Sequence, residues 1–400
     1  MTSRNKNLVP GSLFGGMLLV VGCCIGAGML ALPVLIGLAG FFPSLLMLIA
    51  AWAFMTYTGC LLIEVNGWFE GPVNLLSMVK EGLGKTAYGI AWATYLLLFY
   101  SLLVAYVSAS GAIFSSILQA LFHIQISDQM ASLIFTLLLG WIIYLGTGTV
   151  DLVNRFLMIG LITAYVALIA VGIMKVEPHN LAHIHFGKLF LSLPVLVVSF
   201  GFQNLVPSLI TYMREDLQRV KHAIVGGSFI VLIIYLLWCL VILGVVPPEQ
   251  LADYYNQGKE ATSALTSTTS PFLINSSRLF AFFAIITSFL PIGLTLAHFL
   301  ADGFHVIPTR QKMRWLVLLT IVPPLLLGLF YPTFFFKALS FAGGICAMIL
   351  FGIFPVAMAW IGRYKKGETS NYHVGGGKFA LVIAFLFASF VLICELVRVF

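Results

Sequence analysis

Gly22-Cys23-Cys24-Ile25-Gly26-Ala27-Gly28-Met29-Leu30-Ala31-Leu32-Pro33 sets three glycines and a proline inside an otherwise apolar run. Glycine weakens a helix and proline removes a backbone donor, so the run predicts a helix broken near its middle. A second stretch, Ser199-Phe200-Gly201-Phe202-Gln203-Asn204-Leu205-Val206-Pro207-Ser208, has the same make-up of glycine, small or polar residues, then proline. Gly26 and Gly201 lie 175 positions apart, and Pro33 and Pro207 lie 174 apart. Nearly equal intervals in the two pairs predict two successive units of similar length, each interrupted near its first element.

Both breaks sit in membrane-type sequence. Of 400 residues, 60% are hydrophobic and 9% charged, against about 25% charged in an average soluble domain. Mean hydropathy is +1.05. A helix needs about 20 apolar residues to cross the hydrocarbon core. Eleven such runs occur, at 13–38, 42–65, 88–120, 130–149, 155–176, 189–212, 223–247, 278–301, 315–331, 335–360 and 378–398. They are continuous rather than alternating, which predicts helices and excludes a barrel. The fold class is therefore an all-α polytopic membrane protein of 11 transmembrane helices, with spans 1 and 6 discontinuous. Residues 1–400 form one transmembrane domain with no soluble domain: repeat one at about 8–176, repeat two at about 186–361, and an extra helix at about 378–398. Cleavage of the first segment as a signal peptide is disfavoured, because it would remove the first break.

The net charge of +7 does not indicate nucleic acid, because the basic residues are scattered between apolar runs instead of forming a stripe. With the N-terminus inside, outer segments hold Lys175, Lys188, Lys259, Arg278, Lys337 and Arg398, leaving fifteen of the 21 Lys and Arg inside. The positive-inside rule then predicts a cytoplasmic N-terminus and a C-terminus on the other side. All six cysteines fall inside predicted spans and read as small core residues. Residues 66–87 predict an amphipathic helix on the inner face around Asn74–Glu81, and residues 248–277 a lid over the outer one.

Five spans per unit is an odd number, so the second unit enters the membrane from the opposite side. That is the inverted-topology repeat of secondary transporters. An interrupted helix leaves backbone groups that lipid cannot satisfy, so a polar solute is expected there. The half-helix starting near Gly28 would aim amides at an anionic group, and the one ending near Ser199 and Phe200 would offer carbonyls to a cation. Together they suit an amino-acid zwitterion. A passive channel or pore is the competing class, but a ring of polar residues along several spans is missing. A membrane enzyme lacks any recognisable catalytic motif.

Gly26-Ala27-Gly28-Met29-Leu30-Ala31-Leu32-Pro33, Phe200-Gly201-Phe202-Gln203-Asn204 with Pro207-Ser208-Leu209, and Ala284-Ile285-Ile286-Thr287-Ser288-Phe289-Leu290 resemble the hydroxy/aromatic amino acid permease family. The resemblance covers nearly the whole chain. It implies a LeuT-type 5+5 inverted repeat of the amino acid–polyamine superfamily, a bacterial inner-membrane location, and import of an aromatic amino acid, tyrosine first, by cation symport with alternating access. Sodium-coupled transport of tryptophan or another neutral amino acid is the alternative. The family pattern has a histidine where this chain has Gln203, which weakens transfer of a proton role to that position.

The expected substrate site comprises Ile25, Gly26, Ala27, Gly28, Ser199, Phe200, Gly201, Phe202, Gln203 and Asn204 at the breaks, with Tyr106 and Ser108 on span 3 and Phe289 on span 8. A buried amide at Gln203 or Asn204 could bond a phenol and reject phenylalanine. The ionisable residues taken as within reach of the membrane are Glu64, His298, Asp302 and Glu395, all toward span ends and none at the midplane, and His298 with Asp302 form the best titratable pair. For sodium, hydroxyls of Thr287 and Ser288 could join backbone carbonyls of Gly22 and Ile25. The resemblance favours a proton; the residues lean toward sodium. No cofactor, resident metal, nucleic acid or obligatory protein partner is expected, only the amino acid and the lipid bilayer. His179, His183 and His185 read as a solvated outer loop.

Overall fold

The computed structural model describes residues 11–71, 73–265, 270–306 and 310–399. Arg4, Lys6 and the 266–269 part of the expected lid lie outside these. The described chain is helical throughout, without strands. Among the described residues ten helices are long and apolar enough to cross a membrane, and a bent pair, half-helices 1a (Leu13–Cys24) and 1b (Ala27–Ala39), makes an eleventh span.

Most boundaries follow the hydropathy, and the departures have local causes. Span 4 ends at Leu145 rather than 149 because Gly146 adopts φ +98°, a left-handed conformation that closes the helix. Span 5 then starts at Thr147 and carries Asp151 and Arg155 as an exposed i,i+4 pair at 2.8 Å. Span 7 starts early, at Leu217, because Asp216 accepts from Arg219 N–H at 3.1 Å and caps it. Span 8, Pro271–Gly303, is seven residues longer at its start than its apolar run.

Span 6 is assembled in pieces: 3₁₀ turns over Phe186–Ser192, half-helix 6a (Leu193–Ser199), non-helical residues, a 3₁₀ turn at Gln203–Leu205, and half-helix 6b (Val206–Tyr212). Span 10 widens into π-helix over Ala342–Ile353. At Gly343 that span lies against the Pro194 carbonyl, where any β-carbon would overlap it.

On the face where the chain enters, Leu75–Leu83 forms the amphipathic helix, capped by Asn74 and burying Leu75, Met78 and Val79 at helical spacing. Glu64 at the end of span 2 makes a bidentate pair with Arg363 of span 10, at 2.7 and 2.6 Å, and also accepts from Val374 N–H at 2.7 Å. On the opposite face, Pro248–Asn256 and Ala261–Leu265 cover half-helix 1b, with Leu251 seated on Gly37. Arg398 of span 11 ties this segment down through Tyr255 at 3.0 Å and pairs with Glu395 at 3.5 Å.

Candidate functional site

Half-helices 1a and 1b bend by 62°, which separates the last carbonyls of one from the first amides of the other. Ala27 N–H donates to Ser288 Oγ of span 8 at 3.0 Å, and Ser288 donates onward to Ala284 O at 2.9 Å. Met29 N–H turns back to Gly26 O. The amides of Gly26 and Gly28, and the carbonyls of Gly22, Cys23 and Ile25, have no hydrogen-bond partner among the described residues.

The two breaks touch. Tyr235 of span 7, fully buried, directs its hydroxyl at Cys24 O (2.6 Å) and Ser199 O (2.8 Å), with one proton to share between them. Cys23 Sγ lies 3.7 Å from Gly201 O. A β-carbon on Gly28 would stand 2.9 Å from Ser199 Oγ, and one on Gly26 would overlap Ser288 Oγ. A side chain at either glycine would therefore push a serine hydroxyl off its present hydrogen bonds, independently of any ligand.

A cavity of about 610 Å³ adjoins the breaks. Of the expected substrate residues it is lined by Ile25, Gly26, Ala27, Gly28, Tyr106, Ser199, Gly201 and Asn204, and of the expected ion residues by Gly22, Ile25, Thr287, Ser288 and Asp302. It runs from Gly28 and Leu339 toward the face of Asn74 and Asp302. Asp302 is the one carboxylate among its lining residues.

The structure places other expected residues elsewhere. Phe200 packs edge-on to Tyr235 at 5.1 Å, away from the cavity. Phe202 fills the space over Gly59 of span 2. Phe289 lies against Phe135 of span 4 at 6.5 Å. Gln203 turns to span 2, donating to Met55 O at 3.1 Å and Thr58 Oγ1 at 3.3 Å. Ser108 backs onto Gly328 of span 9, its hydroxyl buried without a partner among the described residues. His298 does not line the cavity, and no hydrogen bond or ion pair joins it to Asp302. Thr287 bonds back to Phe283 O at 2.8 Å, one turn earlier.

An aromatic wall stands where those phenylalanines were expected. Tyr95 stacks on Phe99 at 5.7 Å and meets Phe299 at 6.1 Å and Phe351 at 6.3 Å. Its hydroxyl donates to Asn204 Oδ1 at 2.5 Å. Sequence reasoning missed these four and Tyr235, although spacing carried part of the signal. Tyr95, Leu98, Phe99, Leu102 and Tyr106 share one helical face of span 3, and Ser288, Ile292, Thr295, Phe299 and Asp302 share one of span 8.

The arrangement can bind a small dipole. Unpaired amides at the positive end of 1b suit an anion, and unpaired carbonyls at the end of 1a suit a cation. The sixth-span carbonyls contribute less than expected, since Ser199 O and Gly201 O already face donors. Two discontinuous helices meeting at a cavity define a membrane carrier of the LeuT-type fold.

A solved structure of MhsT in complex with L-phenylalanine has that fold, with a TM-score of 0.66 at 14% identity over 97% of this chain and 99% of that one. Residues 10–395 match the tryptophan/tyrosine permease family model. The chain is 31% identical over 381 residues to tyrosine-specific transport system 1 of Haemophilus influenzae, covering 92% of each. It is 32% identical to the tryptophan-specific transport protein of the same organism, covering 94% of this chain and 93% of that one. The chain belongs to the tryptophan/tyrosine permease family, a family of transport proteins and not of enzymes.

Proposed function

We propose that this permease imports an aromatic amino acid, tyrosine foremost, across a bacterial inner membrane with a proton, its N-terminus in the cytoplasm. The observation that carries the reading is the meeting of unpaired Gly26 and Gly28 amides with an aromatic-walled cavity. The zwitterion would be held at the breaks, and its ring against Tyr95, Phe99, Phe299 and Phe351. In this orientation the cavity faces the cytoplasm and the 248–265 segment closes the other side, one of the two states alternating access requires. Proton coupling is supported by Asp302, a titratable group on the cavity wall, and by Ser288. The Ser288 hydroxyl already accepts from Ala27 and donates to Ala284, leaving less of it for a sodium shell. Uptake of labelled tyrosine into membrane vesicles tests the proposal. It should collapse with an uncoupler and be outcompeted by aromatic amino acids above others. Uptake that survives the uncoupler and requires sodium would overturn the proton, and indifference to aromatic competitors would overturn the substrate.

A further inference from the structure

The cavity wall contains one polar pair that the zwitterion clamp does not use. Tyr95 is 6% exposed and its ring is held by Phe99, Phe299 and Phe351. Its hydroxyl donates to Asn204 Oδ1. Asn204 sits in the 3₁₀ turn just past the sixth-span break and is exposed to the cavity. With Oδ1 engaged, what the carboxamide presents is Nδ2, whose two N–H groups have no partner among the described residues.

From this geometry, and resting on the aromatic substrate proposed above, we infer that Tyr95 fixes the Asn204 carboxamide so that the cavity prefers a phenol to an indole. A phenolic oxygen both donates and accepts, whereas an indole nitrogen carries only an N–H. Asn204 Nδ2–H therefore finds an acceptor in tyrosine. In tryptophan it meets another donor, and in phenylalanine a ring edge with neither. Two donors face to face in a partly desolvated wall both go unpaired, the circumstance in which polar sites discriminate most. Tyr95 is a positioning residue in this scheme, and Asn204 is the group that reads the ligand.

Competition by unlabelled tyrosine, tryptophan and phenylalanine for uptake of labelled phenylalanine in membrane vesicles tests it, each value being taken relative to phenylalanine. Wild type should favour tyrosine over tryptophan by about tenfold or more, the equivalent of one net hydrogen bond. In Tyr95→Phe the amide is free to turn Oδ1 toward an indole, so tryptophan should gain about tenfold on phenylalanine. In Asn204→Leu tyrosine should instead lose about tenfold on phenylalanine. The two variants thus narrow the preference from opposite directions. An unchanged tyrosine-to-tryptophan ratio in Tyr95→Phe would overturn the inference. So would loss of all recognition in both variants with the protein inserted, because the pair would then be holding the fold. Wild type that takes tyrosine and tryptophan alike would overturn this selectivity alone. Wild type that takes no aromatic amino acid would remove the proposed function, and the selectivity with it.

Discussion

Tyr235→Phe is the sharpest test of the clamp between the two interrupted helices. The substitution keeps the ring, which packs on Phe200 at 5.1 Å, and deletes one oxygen. That oxygen is the one donor to Cys24 O and Ser199 O among the described residues, at 2.6 and 2.8 Å, and Tyr235 is fully buried. A single shared proton is worth one hydrogen bond, yet its loss strands two carbonyls away from water. An unsatisfied buried group costs about 1–3 kcal/mol, while measured polar pairs inside membranes average about 0.6 kcal/mol. Taking about 1–3 kcal/mol for the site as a whole, the joined arrangement should weaken roughly 5- to 150-fold. The assay is twofold: thermal unfolding of purified protein in detergent, and the half-maximal concentration for uptake of labelled tyrosine in vesicles. The midpoint should fall, and the half-maximal concentration should rise at least about fivefold. Native values on both measures in an inserted Tyr235→Phe protein would refute the idea that this hydroxyl holds the breaks together.

Gly26→Ala should abolish uptake because its β-carbon displaces Ser288 Oγ and uncaps Ala27. Adding Ser288→Ala removes the clashing oxygen and should restore part of the activity, and a double variant no better than the single would count against this packing account. Glu64→Ala leaves the Arg363 guanidinium buried without its carboxylate, so it should cost about 3–5 kcal/mol, whereas replacing both with apolar residues should cost less; detergent melting curves of single and double variants measure the difference. At the outer segment, burial raises the Glu260 carboxyl, outweighing the hydrogen bonds from Thr262 and Ser263 that lower it. A raised acid binds its proton more tightly when folded, so its contribution is most favourable at acidic pH and declines as pH climbs from the unfolded value through the folded one. Proteolysis at 248–265 should therefore be slower near pH 4.5 than near pH 7, a trend that Glu260→Gln should flatten.

Composition and periodicity determined the membrane setting, the eleven spans and the location of both interruptions, because hydropathy, glycine and proline act through local free energies that a linear reading captures. Sequence alone points to Ser288 as a neighbour of span 1, but as a partner for the Gly22 and Ile25 carbonyls; that its hydroxyl caps the Ala27 amide, 261 positions away, is a tertiary outcome. Rotation of side chains about the spans was decided only by tertiary packing. Phe200 and Phe202 are non-helical and Gln203 opens a single 3₁₀ turn, so no fixed period tells which neighbouring span each side chain turns to, and all three turn away from the cavity. Tyr95 and Phe299 lie 204 positions apart in the chain, and Tyr235 reaches back 211 residues to Cys24. Contacts of that range depend on how whole helices tilt and stack against one another, and no local propensity encodes that.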